Sequence, residues 1–456
     1  MKVFGSSGTR GVANEELTPA FVQKVAKAAG TVWRADRVAV ARDTRTTGRM
    51  LVNAAVSGLQ SVGVHVDRLG VVPTPGTQAY AEREGVPAVM VTASHNPAEY
   101  NGVKLVGADG IELGVDDLER VERKFLTEQF DDVAWDDVGT DLAVESARRT
   151  YVEELLEAVD RDAIADADLT VALDPGHGAG ALTSPELYRR LGCDVVTVNA
   201  QPDGHFPGRD PEPVRENLDD LGRLVRAADA DVGIAHDGDA DRAIFFDERG
   251  EYVEGDATLA ALAEAELEEG DTTVSAVNVS QRLVDVCERT GADLELTPIG
   301  STRIMTRIRE LLAEDESVPV AGEGNGGIIF PDYRMTRDGA YTGARFLELL
   351  AERPASEVVA PYGDYANVRI NVGYDGDAER DAILGTAEER ARESDAERTT
   401  IDGYRLDYGD AWVLARPSGT EPVVRIYAEA TTEERADELA TEFAAALRAA
   451  KTGIEN

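Results

Sequence analysis

The sequence predicts an α/β protein of four units, on three observations. Helical and strand patterns alternate from the start of the chain. A length of 456 residues corresponds to three or four domains at about 150 residues each. Each unit also carries one loop of unusual composition, which places an active site between domains.

In the first unit Thr18 caps a helix whose first position is Pro19, and Phe21, Val25, Ala28 and Val32 recur at helical spacing. A strand follows over 37–43 (RVAVARD), then a helix over 50–62, a strand near Val64 and a short helix around Gln78. The run PAVMVTAS at 87–94 reads as a strand, so Ser94 falls at a strand's carboxyl end, where open α/β sheets place their ligands. The acidic stretch 131–141 is a surface connection, and residues 151–159 are helical. LTVALDPGHGAGA then enters a Gly-rich loop, and DVGIAH at 231–236 is a strand running into DGDADR. IFFDERGEYVEG forms a hairpin that closes this unit near 250. The third unit has an acidic Ala/Glu-rich helix, a strand TTVSAVN and the run VPVAGEGNGGIIF, and PASEVVAPYGDY marks a linker. The last unit has strands over 368–372 and 412–415, the loop RPSGTEP, the strand VVRIYAEA and a closing helix. Thr431 and Glu434 suit a capping box there, and Leu439, Phe443 and Leu447 form its apolar face. The expected units are 1–147, 148–250, 251–360 and 361–456, and no repeat of 20–50 residues is evident.

Composition narrows the function classes. There are 87 acidic against 46 basic side chains, a formal charge of −41. Such a chain is repelled by nucleic-acid phosphates and anionic membranes, so neither is an expected partner, and an anionic ligand must meet a built site. Only six of the basic residues are Lys, a balance similar to that of salt-in halophiles, in which a Debye length of about 3 Å at 1 M salt relieves the self-repulsion. Cys193 and Cys287 stand 94 residues apart outside any CxxC or Cys/His cluster, so both read as buried apolar residues. The opening MKVFGSSGTRG is not a secretory leader, and no stretch approaches the roughly 20 apolar residues of a membrane span. A cytoplasmic location is expected.

The loops carry the chemistry. DGDADR sends Asp237, Asp239 and Asp241 the same way, and an all-oxygen set of like charges selects a hard cation such as Mg²⁺. A calcium loop ending at Glu248 fails because Arg242 occupies the position that requires Gly. An acidic surface turn is the plain alternative. VTASHNPAEYNGVKL surrounds Ser94, a nucleophile or phosphate carrier, with Thr92, His95, Asn96 and Lys104. His95 is adjacent in sequence and implies no Ser–His dyad. Lys104 is one of only six lysines, and a depressed amine there would serve as a proton shuttle. A salt-bridged surface lysine would look the same. RPSGTEP at 416–422 with Arg425 has the parts of a phosphate cradle, though Arg416 and Glu421 would equally make a structural ion pair. GSSGTRG repeats that chemistry with Ser6, Ser7, Thr9 and Arg10. GEGNGG at 322–327 offers Glu323 and Asn325 to vicinal sugar hydroxyls, or is simply a tight turn between strands. DPGHGAGA fits neither a P-loop nor a dinucleotide fingerprint.

TASHNP, DGDADR, GEGNGG and RPSGTEP, in this order and about one per unit, resemble the α-D-phosphohexomutase family over nearly the whole chain. The resemblance implies three α/β domains with mixed sheets plus a smaller C-terminal α+β domain around a central cleft. It implies a mutase that moves a phosphoryl group between C6 and C1 of a hexose or hexosamine phosphate through a phosphoserine and a 1,6-bisphosphate, with that bisphosphate as activator. Ser94 would be the phosphoserine, and Asp237, Asp239 and Asp241 would hold one Mg²⁺ together with a phosphoserine oxygen. Lys104 and Arg10 would assist proton transfer and charge stabilisation, with His95 and Arg242 at the same centre. Glu323 and Asn325 would grip sugar hydroxyls, and Arg416, Ser418, Gly419, Thr420 and Arg425 would bind the distal phosphate. The opening FGSSGTRG and the run GEGNGGIIFPDYRMTRDG look archaeal. Asn325, where many members have Ser, and GSTR at 300–303 leave the sugar open among glucosamine, glucose and mannose phosphates, with phosphopentose as a further option. The competing classes are a Mg²⁺-dependent sugar phosphatase and a non-catalytic sugar-phosphate binder. A monomer or homodimer is expected.

Overall fold

The computed structural model describes residues 3–5, 8–363, 365–418 and 422–452. It has four sheets, one in each unit. In the first, the parallel strands Ala88–Val91, Arg37–Arg42, His65–Val71 and Asp141–Ala143 lie side by side, and Tyr100–Val106 and Thr9–Val12 extend the sheet antiparallel. In the second, Val232–Ala235, Thr170–Asp174 and Asp194–Thr197 are parallel, while Ile244–Phe246 and Tyr252–Val253 continue antiparallel. The third repeats the plan, with Ala321–Glu323, Thr272–Ala276 and Asp293–Thr297 parallel and Gly327–Phe330 and Arg334–Arg337 antiparallel. The fourth sheet is wholly antiparallel and packs against the helices Asp377–Glu393 and Glu433–Thr452.

The chemistry-bearing loops of the first three units share one topological position. Ser94, the Asp237–Asp241 run and the 324–326 turn each join the last parallel strand to the first antiparallel one. At such a switch the chain reverses above the carboxyl edge of the sheet, which opens a crevice for ligand.

Local signals explain most elements. The helix Pro19–Trp33 starts where the Thr18 side chain accepts from Phe21 N. At the C-terminal helix the cap falls one residue later than the capping box predicts: Thr432 Oγ1 accepts from Arg435 N at 3.2 Å. The residue three positions after Thr432 is therefore Arg435 rather than a glutamate, and no reciprocal box closes. Leu439, Phe443 and Leu447 are buried as expected. Most of the 131–141 connection is exposed. Cys193 and Cys287 are free and buried. No helix among the described residues is long and apolar enough to cross a membrane.

The second and third units share one apolar core that runs from Tyr151 to Tyr362 and includes the packed rings of Phe245 and Phe346. The fourth unit has its own core. Its junction with the third combines an apolar cluster of Val277, Trp412, Leu414 and Tyr427 with buried polar contacts. Buried Glu429 accepts from Gln281 N, Trp412 Nε1 and Asn367 Nδ2 and pairs with Arg282.

Candidate active site

Ser94 is fully buried and sits in the left-handed region at φ +52°, a conformation that costs a non-glycine residue about 1–3 kcal/mol. Its hydroxyl donates to Asp237 Oδ2 at 2.7 Å. The metal loop approaches so closely that a Cβ on Gly238 would lie 2.6 Å from the Ser94 carbonyl oxygen. Glycine is therefore required at 238 for steric reasons. Ala240, at φ +57°, gives this loop its own left-handed turn.

Asp237, Asp239 and Asp241 are buried, and one oxygen from each lies within 4.8 Å of the others. Their six oxygens fall into two sets. Every Oδ2 has a partner: Ser94 Oγ on Asp237, Thr74 Oγ1 and Lys104 Nζ on Asp239, and Lys104 Nζ and Arg337 Nη2 on Asp241. Every Oδ1 is buried without a hydrogen-bond partner. Three buried carboxylate oxygens without partners, on side chains this close together, are costly unless a cation meets them, and an oxygen-only donor set fits Mg²⁺. Burial, reinforced by Asp241 and Asp239, pushes the Asp237 carboxyl well above the usual range. Burial also opposes ionisation of Asp241 and Asp239, but Arg337, Lys104 and Arg242 together outweigh it at Asp241, and Lys104 aided by hydrogen bonding, that of Thr74 included, at Asp239, so both stay below the usual range. Glu248, the last residue of the rejected calcium loop, spends its carboxylate on Ser356 N and Oγ instead.

Lys104 corrects an expectation. Burial alone would depress its amine, but Asp239, Asp241 and Glu112 more than compensate, and its pKa is raised. Lys104 is buried rather than at the surface, with its Nζ 3.1 and 3.0 Å from Asp239 and Asp241.

The other cations gather on the same side. Arg242 Nη2 donates to His95 Nδ1 at 3.0 Å. Arg242, together with burial and Arg10, holds the imidazole neutral, with its pKa down to about 2. Since His95 Nδ1 accepts from Arg242 and Ser94 Oγ donates to Asp237, the 3.4 Å approach of His95 to Ser94 makes no catalytic dyad. Arg10 donates to Asn96 Oδ1 at 2.8 Å, and burial lowers its pKa. Ser6 and Ser7 lie outside the described residues.

The 322–327 loop is both a tight turn and a neighbour of this centre. Asn325 Oδ1 accepts from Gly327 N, so that oxygen is committed to its own turn, while the rest of Asn325 is exposed. Glu323 ends its strand beside Arg337. Gly326 O accepts from Ala243 N, tying the loop to the strand after the metal loop.

In the fourth sheet Arg416 and Arg425 are direct partners in adjacent antiparallel strands. Arg416 also pairs with Asp402 at 3.0 Å, and Ser418 N donates to Val423 O. Gly419, Thr420 and Glu421 lie outside the described residues.

The sequence reading misses Thr74, Glu112, Arg337, Asp43 and Arg45. Arg337 lies 96 residues from its partner Asp241, and nothing local in RMTRDG marks it. Only its place on an edge strand of the third sheet brings it to the metal loop.

Comparison with known proteins accords with this geometry. Residues 1–132, 149–250 and 254–365 match α/β/α domains I, II and III of phosphoglucomutase/phosphomannomutase, and 367–446 match its C-terminal domain. A phosphoglucomutase/phosphomannomutase of Thermococcus kodakarensis is 41% identical over 96% of each chain. A probable phosphoglucosamine mutase of Methanopyrus kandleri is 41% identical over 98% of each. The crystal structure of a phosphoglucomutase/phosphomannomutase family protein from Burkholderia thailandensis superposes with a TM-score of 0.86 at 29% identity, covering 99% of this chain and 98% of that one. With all four domain types matched in order and relatives at this identity spanning nearly its whole length, the chain belongs to the phosphoglucomutase/phosphomannomutase family.

Proposed function

We propose that the protein is a hexose-phosphate mutase in which Ser94 carries the phosphoryl group between the C6 and C1 oxygens of a hexose or hexosamine phosphate. The observation that supports this most directly is the Ser94 hydroxyl, 2.7 Å from Asp237, beside three carboxylates that each keep one buried oxygen unpartnered. In the first transfer the bond from phosphorus to Ser94 Oγ breaks as one to a sugar oxygen forms, and in the second the bond from the other phosphorus to its sugar oxygen breaks as one to Ser94 Oγ forms. The proton given up by the sugar hydroxyl is matched by the one the serine regains. Asp237, Asp239 and Asp241 would hold Mg²⁺, which supplies charge neutralisation to the transferring phosphoryl group. Lys104, Arg10 and Arg242 add fixed positive charge around it, the chief requirement of a loose phosphoryl-transfer transition state. Glu323 and the exposed amide of Asn325 face sugar hydroxyls, and Arg416, Ser418 and Arg425, with Gly419 and Thr420, take the distal phosphate. The 1,6-bisphosphate has to turn over between half-reactions. A fourth unit with its own core is suited to let it do so without release.

Relatives named for glucosamine and for glucose or mannose phosphates match equally well, so both sugar classes are candidate substrates. The test is a mutase assay with Mg²⁺ in high KCl on the 1-phosphates of glucosamine, glucose, mannose and ribose. Isomer formation is expected, with loss of almost all turnover in Ser94→Ala and a phosphate on Ser94 by mass spectrometry. Release of inorganic phosphate without isomer would make the protein a phosphatase. Full turnover in Ser94→Ala would remove Ser94 from the reaction.

A further inference from the structure

The backbone of Ser94 is held at both ends. Its N–H donates to Thr92 Oγ1 at 2.9 Å, and its carbonyl accepts from Arg45 Nη2 at 2.9 Å. Both holders converge on one carboxylate: Asp43 Oδ2 accepts from Thr92 Oγ1 at 2.7 Å and from Arg45 Nε at 3.0 Å, and Asp43 Oδ1 from Arg45 N at 2.9 Å. Asp43, Arg45 and Thr92 are each 0% exposed. Arg45 gives its three other guanidinium protons to the carbonyls of Asn96, Pro97 and Tyr100. All five donors of the side chain are thereby spent, four of them on the loop that bears Ser94. Phe206 of the second unit lies against the guanidinium, its ring centre 5.1 Å away.

A fully buried ion pair is seldom the cheapest way to stabilise a core, since apolar residues of equal volume serve as well or better. What this pair adds is direction, because a planar fork fixes several carbonyls at once. The second unit has a counterpart: Asp174 pairs with buried Arg209 at 2.9 Å, and Arg209 Nη2 donates to His236 O at 2.6 Å, one residue before Asp237. The strained Ser94 and the first metal-loop carboxylate are thus each fixed from behind by a buried arginine.

We propose that Asp43, Arg45 and Thr92 are positioning residues for phosphoryl transfer, a clamp that presets the left-handed backbone of Ser94 so that its Oγ meets the carboxylate triad. The proposal rests on Ser94 being the phosphoryl carrier. Displacing a reacting atom by about 1 Å costs on the order of 100-fold in rate, whereas a purely structural clamp would affect only how much protein folds.

Thr92→Val, which keeps the volume and removes the hydroxyl, and Arg45→Lys, which keeps the charge and removes the fork, separate these roles. For each, kcat per folded molecule, KM for the sugar phosphate and the single-turnover rate of Ser94 phosphorylation by glucose 1,6-bisphosphate are measured. Thr92→Val should lower kcat and the phosphorylation rate about 10- to 100-fold with KM within about twofold, and Arg45→Lys should lower them further. Wild-type kcat and phosphorylation rate in folded Thr92→Val would overturn the clamp, as would a loss confined to KM. An inactive Ser94→Ala beside a fully active Thr92→Val defeats the clamp alone, whereas an active Ser94→Ala defeats the carrier assignment on which it rests.

Discussion

Arg416 and Arg425 face each other directly across the antiparallel ladder of the C-terminal sheet. Like charges at opposed positions repel, and Asp402 answers Arg416 from one side. A phosphate seated between the two guanidinium groups would turn that repulsion into a paired clamp.

Replacing either Arg416 or Arg425 with Ala is therefore expected to weaken substrate binding by about 1.5–3 kcal/mol, the worth of a hydrogen bond to a charged group. The loss should fall on KM, since the distal phosphate takes no part in bond making. Steady-state kinetics decide this, and wild-type Michaelis constants in both variants would refute the assignment.

Asp237 bears the least favourable charge of the triad, because burial and its two neighbours all oppose its ionisation. Asp237→Asn should accordingly raise the melting temperature of the metal-free protein. Wild-type protein should gain about 2.7 kcal/mol at a Mg²⁺ concentration a hundred times Kd, and the variant little or nothing. Calorimetry with EDTA and with Mg²⁺ compares the two, and equal Mg²⁺ shifts would place the ion elsewhere.

Asp256, beneath the 322–327 turn, has its carboxyl pushed up to about 7, first by burial and then by Glu429. Between its unfolded value, near 3.9, and 7 the folded state keeps a proton that the unfolded state has lost. Its contribution to stability is thus full at low pH and declines as pH rises through that window, by at most about 1.4 kcal/mol per pH unit. Asp256→Asn should flatten this part of the profile and melt higher than wild type at pH 8 but not at pH 4. Parallel profiles for the two proteins would show that the group does not titrate there.

A formal charge of −41 makes self-repulsion the dominant long-range force in dilute buffer, where the Debye length is about 30 Å at 0.01 M. Molar KCl cuts that range to about 3 Å. Melting temperature is expected to climb steeply with KCl, and a salt-independent melt would contradict the charge argument.

The parts of this protein that are legible in its sequence are those encoded locally. Thr18 and Pro19 announce a helix, the apolar alternation before Ser94 and Asp237 announces strands, and Gly-flanked Asp or Arg groups announce loops with chemistry. The capping-box expectation at Thr431 is one residue off because a local pattern fixes a helix start only to within a residue or two, and the hydroxyl that caps is that of Thr432. Arg337, Thr74 and Arg45 are illegible for another reason. Their roles are set by partners 96, 165 and about 50 residues away, and a lone Arg or Thr in a strand or turn carries no mark of that. The common plan of the first three sheets is likewise hidden, because the same topology forms in each from different residues, with no repeat along the chain.

The ammonium at position 104 waits for carboxylates synthesised 135 and 137 residues later, and the second of these, Asp241, in turn waits for the guanidinium at 337. A nascent or truncated chain that stops short of the third sheet therefore contains the serine and all three carboxylates but leaves Asp241 without the arginine that meets it. The balance of charge around the carboxylates is thus completed only once the third unit has folded against the second.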